Sequence, residues 1–159
     1  MRLARPIRWI LAAFDGEAIP VTVESVTSGP TSRGHRFYAP EEFVATDLRS
    51  LLASLRERKV EPDPEIRKRM ILEGASAVAA PGRPDVDDDL LEENVHLTEW
   101  PTAISGTFPV GFMELPEPVL ITAMAKHERM FPVRGEDGKL TNRFVFVRNS
   151  GEDDTVRRG

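Results

Sequence analysis

Ile7-Arg8-Trp9-Ile10-Leu11-Ala12-Ala13-Phe14-Asp15-Gly16 (residues 7–16) is an apolar run closed by a turn signal. Asp and Gly both tolerate positive φ, so the pair between two extended runs reads as a β-hairpin. The returning arm, residues 19–26, alternates, with Ile19, Val21 and Val23 on one side and Thr22 and Glu24 on the other. A matching signal lies near the far end, where Gly135-Glu136-Asp137-Gly138 separates residues 130–133 from residues 142–148. Phe144-Val145-Phe146-Val147 is apolar at every position, which predicts a strand covered on both faces. Pro132 has no N–H for a ladder and predicts a sheet edge at that point. Strands at both ends with helices between predict an α+β domain. Its mixed or antiparallel sheet comes from the N- and C-terminal hairpins, with about four helices between them and the terminal strands sharing one sheet.

The helices have their own signals. Leu48, Leu51, Leu52 and Leu55 fall on one helical face, with Thr46 or Asp47 as cap. Asp63-Pro64-Glu65 combines a capping carboxylate, a proline at the first helical position and an acid near the positive dipole end. That helix runs through Ile66 and Met70 toward Val78, and Pro81-Gly82-Arg83-Pro84 then breaks the chain as a candidate mobile loop. A third helix begins near Asp87, turns Leu90, Leu91, Val95 and Leu97 inward and stops before Pro101. Residues 102–108 read as a strand, and Pro116-Glu117-Pro118 starts a fourth helix through Leu120, Ile121 and Met124 to about Glu128. Residues 1–150 read as one domain, and the charged residues from Gly151 onward as a frayed tail.

Composition narrows the function. The 159 residues suffice to bury a core without staples, and 40% hydrophobic with 30% charged residues is ordinary for a globular protein. Without cysteine there is no disulfide, no thiolate zinc site and no thiol nucleophile. No apolar run spans a bilayer, and the basic start leads into a strand-like run rather than a signal peptide, so a cytosolic protein is expected. A net charge of −5 argues against a free-standing, non-specific nucleic-acid binder. The charge is uneven, however. Arg2, Arg5, Arg8, Arg33 and Arg36 lie in the first third, while Asp85, Asp87, Asp88, Asp89, Glu92 and Glu93 crowd the middle. Both clusters read equally as solvated surface, and the first also as a local phosphate-facing patch.

Most candidate chemistry falls away on spacing. His35, His96 and His127 lack paired-ligand spacing, and neighbouring residues Asp87-Asp88-Asp89 diverge around a helix axis; their acids suit the helix dipole instead. Neither a phosphate-binding glycine loop nor a Gly-x-Ser-x-Gly elbow occurs. Ser105-Gly106 reads as a packing feature in its strand, and Trp100 as a core anchor before the helix-stopping Pro101. Lys126-His127-Glu128-Arg129 is either a functional corner or a set of cations at a negative helix end. Thr31-Ser32-Arg33-Gly34-His35-Arg36-Phe37 is different in kind. Gly34 permits an unusual turn, and Arg33 and Arg36 supply planar forked donors suited to phosphate or carboxylate. One reading pairs Arg36 with an acid and buries Phe37; the other sends Arg33, His35 and Arg36, helped by Arg5 and Arg8, to RNA or a neighbouring domain.

Several segments then run in order along nearly the whole chain: Arg5-Pro6-Ile7-Arg8-Trp9, Ser32-Arg33-Gly34-His35-Arg36-Phe37, Leu97-Thr98-Glu99-Trp100-Pro101 and Phe112-Met113-Glu114-Leu115-Pro116. Ile121-Thr122-Ala123-Met124, Phe131-Pro132-Val133, Gly138-Lys139-Leu140 and Arg148-Asn149 complete the set. Together they resemble the β subunit of bacterial heterotetrameric glycyl-tRNA synthetase. Glu128 departs from the glutamine expected there, and residues 81–84 fall where the family varies.

That β subunit is several times longer, so the resemblance implies an internal fragment with Met1 as an added start. It also implies a cytoplasmic ligase joining glycine to tRNA with ATP, using ATP and Mg on the separate α subunit. The fragment itself would hold no cofactor and no catalytic residue and would be inactive alone. It would contribute to tRNA binding or inter-domain scaffolding. Its partners would be the tRNA for glycine, the α subunit and the remaining β-subunit domains, with no membrane. A similarity in placement to the editing module of the phenylalanyl-tRNA synthetase β subunit gives the alternative, a hydrolase that deacylates mischarged tRNA. Physics weighs against that alternative. Editing serves pockets that cannot exclude a smaller or isosteric competitor, and glycine is the smallest amino acid.

Overall fold

The computed structural model describes residues 7–151. The chain divides into two compact units with the boundary between Pro62 and Asp63. Among the described residues the fold class is α+β, with four α-helices and antiparallel ladders, beside one isolated parallel bridge between Leu11 and Gly29.

The first unit consists of short hairpins and one helix. Strands β1 (Ala13–Phe14) and β2 (Glu17–Ala18) pair across Asp15 and Gly16, whose φ angles of 52° and 82° are the positive values a tight hairpin turn demands. Residues 19–26 do not form the single strand expected. They fold at Glu24, φ 55°, into a second hairpin, β3 (Thr22–Val23) with β4 (Val26–Thr27). Ser28 is the physical reason. Its hydroxyl accepts from the Val21 N–H at 2.8 Å and donates to the Ile19 carbonyl at 2.5 Å, so these backbone groups are spent on the return of the chain. Ile19, Val21 and Val23 accordingly stay exposed rather than facing a core.

Strands β5 (Thr31–Arg33) and β6 (Glu42–Val44) make the third hairpin, which buries Phe43. Helix α1 (Leu48–Glu57) starts on a capping box: the Asp47 carboxylate accepts from the Ser50 N–H at 2.9 Å, and the Ser50 hydroxyl accepts from the Asp47 N–H at 3.1 Å. Of its leucines, Leu51, Leu52 and Leu55 are half-buried and Leu48 is exposed. The helix ends in a Schellman motif, with Lys59 N–H donating to Arg56 O, Val60 N–H donating to Leu55 O, and Lys59 left-handed at φ 59°.

The second unit holds the main core. Helix α2 (Pro64–Ala79) starts on the Asp63 cap with proline at its first position, as the sequence predicts. It buries Ile71, Ala75 and Ala79, residues four apart on one face. Helix α3 (Asp88–Leu97) is capped by Asp87, which accepts from the Leu90 N–H at 2.9 Å, and buries Leu90, Leu91 and Val95. Leu97, expected to face inward, is exposed. Strands β7 (Arg83–Pro84), β8 (Thr102–Thr107), β9 (Phe131–Arg134) and β10 (Leu140–Arg148) form one sheet in the order β7-β9-β10-β8. Among the described residues, no strand of the first unit enters this sheet, so the terminal strands do not share one as expected. The early strands are two or three residues long and spend their hydrogen bonds within their own hairpins.

Strand β10 is covered on both faces. Val145 and Val147 pack with Ile71, Leu91, Val95, Phe131 and Val133, while Phe144 joins Leu120, Met124 and Leu140. Those last residues belong to helix α4 (Glu117–Thr122), the π-helical turn Ala123–His127 that prolongs it, and the start of β10. Phe144 also explains Gly106: the two are cross-strand partners, and a Cβ on the glycine would collide with the phenyl ring.

Three expectations are corrected here. Residues 81–84 are not a loose loop: Arg83 and Pro84 pair with β9, and a Cβ on Gly82 would run into the Arg134 carbonyl. Hence β9 is not an outer strand, and Pro132 is buried. Its missing N–H costs little because it faces the end of β7, where Asp85 N–H donates to the Pro132 carbonyl at 2.7 Å. Trp100 is half-buried and outside both clusters, whereas Pro101 is buried.

Arginines finish this unit. Arg134 donates to Asp85 at 2.8 Å and pairs with Glu117 at 2.9 Å, and these carboxylates, Glu117 first, raise its pKa above the ordinary guanidinium value. Arg143 reaches from β10 to the C-terminus of α2, donating to Val78 O at 2.9 Å and Ala79 O at 2.8 Å. Arg67 likewise donates to Val95 O at 2.9 Å in the last turn of α3. Helix C-termini leave carbonyls unsatisfied, and these guanidiniums fill that need.

Candidate nucleic-acid interface

Residues 34–41 form the loop between β5 and β6, which carries two of the five predicted contact residues, His35 and Arg36. Alternation along the chain separates them. Arg33 ends β5 with its side chain exposed, forming an ion pair with Glu42, its cross-strand partner, at 2.5 Å. Its guanidinium carbon also stands 5.9 Å from the centre of the Trp9 ring, within cation–π range.

Gly34 matters for space rather than for φ. A Cβ there would meet the Ala39 carbonyl at 2.5 Å and overlap the Arg58 side chain. This close approach seats the loop on the end of α1. His35 is fully buried, and its N–H donates to the Arg58 carbonyl at 2.9 Å. Its own carbonyl accepts from Ala39 N–H at 2.9 Å, its Nδ1 accepts from Phe37 N–H at 3.2 Å, and Tyr38 stacks at 4.6 Å between ring centres. His35 is therefore a structural pin, turned away from any partner that arrives from solvent.

The next residues turn outward. Arg36 is exposed, and no acidic partner for it is found among the described residues. Phe37 is 68% exposed and Tyr38 45% exposed, so the one of the two readings that buries Phe37 does not hold. Arg8 is exposed on the strand-like lead-in, near in sequence to the exposed Trp9. Arg5 lies outside the described residues. The structure thus exposes Arg36, Phe37 and Tyr38 on one loop, brings Arg33 to Trp9, and removes His35 from the surface. Sequence reasoning missed Tyr38 and Trp9 as surface aromatics. The legible signal was Phe37-Tyr38-Ala39-Pro40, two adjacent aromatics in a short loop that cannot both turn inward.

The other candidates are accounted for by local structure. His96 is exposed and bonds Glu92 one turn earlier at 2.9 Å. Asp87 is a cap, and among the described residues no group of His, Asp and Glu could hold a metal ion. Arg129, φ 53°, donates to Glu93 at 2.6 Å, and Lys126 and His127 fall in the last turn of the α4 extension. Two segments far apart in sequence meet where Asn149 Oδ1 accepts from the N–H groups of Glu99, at 2.6 Å, and Trp100, at 3.1 Å. No helix among the described residues is long and apolar enough to cross a membrane.

A family model described as "Glycyl-tRNA synthetase beta subunit" matches residues 1–159. The chain belongs to that family. It is 47% identical over 151 residues to the glycine–tRNA ligase beta subunit of Syntrophus aciditrophicus, covering 94% of this chain and 22% of the relative. The corresponding subunits of Bacillus subtilis and Listeria monocytogenes are 39% and 42% identical over 163 residues, covering 100% of this chain and 24% of each relative. The chain therefore spans about a quarter of the length of these family members. Segments such as Thr98-Glu99-Trp100 and Arg148-Asn149, which carried the family resemblance, here hold each other. Ser32-Arg33-Gly34-His35 likewise holds the β5–β6 hairpin to the end of α1.

Proposed function

We propose that this chain is a tRNA-facing domain of a cytoplasmic glycine–tRNA ligase, contributing binding rather than chemistry to the ATP-dependent joining of glycine to tRNA. The supporting observation is the loop tip: Arg36 without an acidic partner among the described residues, beside the exposed Phe37 and the partly exposed Tyr38, whose ring rests on His35. Unpaired bases stack on aromatic rings and guanidinium planes, and phosphates take charge from arginine, so this combination suits RNA better than either residue type alone. Arg33 over Trp9, with Arg8, would extend the same surface, and Arg5 is the further candidate. On this reading ATP and Mg act on the α subunit, which with the remaining β-subunit domains is the protein partner.

The test is made in the assembled synthetase with the tRNA for glycine. Arg36→Ala is expected to weaken tRNA binding and to lower the salt slope of log K by about 0.7–0.9, the loss of one phosphate contact. Phe37→Ala is expected to weaken binding about 5- to 150-fold, the equivalent of about 1–3 kcal/mol of stacking, with little change in slope. Both residues are exposed, so melting temperatures should hold. Unaltered affinity and slope in both variants would refute the contact. In the same preparations, mischarged tRNA bearing the glycine anticodon should lose its amino acid no faster than in buffer; faster release would favour the editing alternative.

A further inference from the structure

A different surface carries an inference independent of the RNA reading. The 3₁₀ turn Val110–Glu114 and helix α4 form the walls of an open, almost wholly apolar groove of about 400 Å³. Phe108, Phe112, Leu115, Val119, Met124 and Phe144 line it. Met124 and Phe144 face inward to the second cluster, so the groove floor is core. The walls are not: Phe112 and Val119 are each 52% exposed, and Val110 and Leu115 stand exposed beside them. Contiguous exposed apolar side chains of this kind mark an interaction surface.

We propose that in the full-length β subunit this groove receives the apolar face of a helix supplied by another part of the same polypeptide. One observation and one general principle choose that occupant. Family members carry more than three quarters of their length beyond the segment matched here, so most of their chain is available to cover it. A tethered segment meets the groove at an effective concentration on the order of millimolar, so it outcompetes a free partner of equal intrinsic affinity. Charge adds chemistry to the occupant. Glu128 lines the groove and Glu114 stands exposed on the 3₁₀ wall, so the docked helix carries Lys or Arg beside its apolar stripe. Docking an amphipathic helix in an apolar groove is a recurring recognition mode, with anchors three and four residues apart.

The chain has no cysteine, which makes thiol footprinting of introduced residues readable. Val119→Cys, Phe112→Cys and the exposed hairpin control Asp137→Cys are each placed in a β subunit of full family length carrying this sequence. Maleimide labelling is followed by peptide mass spectrometry and normalised to the denatured rates. The groove positions are expected to label at least tenfold more slowly than Asp137→Cys in the α-free subunit, at every protein concentration. Labelling as fast as the control would overturn the proposal. So would protection that arises only on adding the α subunit, or only as concentration rises, which would assign the groove to that subunit or to a second copy. Leu115→Cys repeats the measurement if either groove substitution perturbs folding. The outcome does not depend on tRNA, so it can fail without touching the Arg36 contact, and the reverse holds.

Discussion

Gly34 and Lys59 show two separate uses of backbone freedom within a few ångströms of one helix end. Gly34 has no positive φ, yet a Cβ there would press on the Ala39 carbonyl and the Arg58 side chain. Gly34→Ala is expected to destabilise the chain by about 1–3 kcal/mol, the range for overpacking, seen as a lower melting temperature. Lys59 is the reverse case, a side chain at φ 59° where the Schellman motif favours glycine. Lys59→Gly is expected to be neutral or to stabilise by up to about 1 kcal/mol in the same assay. Sequence reading found Gly34 important but for the wrong reason, because close approach of two segments leaves no local trace. It also treated Arg33, His35 and Arg36 as one donor set. Alternation around a hairpin end divides them into an ion-paired residue, a buried pin and an exposed cation.

At the scale of elements, the helix starts were legible and the strand details were not. Asp63 caps as expected, Asp47 is the cap of the two offered, and Asp87, expected only to open the third helix, caps it too, since capping is local chemistry between residues two or three apart. The backbone N–H of Ser50 holds the Asp47 carboxyl below the usual aspartate pKa. A depressed folded pKa contributes stability that is full above the unfolded value and lost as pH falls through the folded one. The melting-temperature gap between wild type and Asp47→Ala should therefore be widest near pH 7 and narrow as acid protonates the cap. Strand β10 holds a feature that no periodicity reveals, a register shift between Leu140 and Phe144. There the Thr141 hydroxyl donates to the Val133 carbonyl at 2.7 Å and accepts from Arg143 N–H at 3.2 Å, standing in for ladder bonds the bulge breaks. Thr141→Val keeps the shape and removes both bonds. A loss of about 1–2 kcal/mol in denaturant unfolding is expected, while Thr141→Ser should retain most of it.

Across the whole molecule, burial is distributed unequally between the two units. Residues 63–151 hold both apolar clusters, a four-stranded sheet covered on both faces, and helices whose ends are completed by Arg67 and Arg143. In the first unit the described buried apolar residues are Phe43 and Ala45, with His35 and the Arg56-paired Glu61 as buried polar company. The paired strands there are two or three residues long. Sequence patterning could not show this difference. Ile19, Val21 and Val23 alternate as well as any core strand, yet the Ser28 turn ends their strand and no face among the described residues covers them. Small folded units bury a smaller fraction of their surface and are marginal without staples, and this chain has no cysteine. The segment 63–151 is therefore expected to fold alone, with a cooperative thermal transition and near-native circular dichroism. Residues 1–62 alone are expected to show no cooperative transition. Cooperative unfolding of the isolated 1–62 segment, or a featureless melt of 63–151, would reverse this assignment of where the folding energy lies.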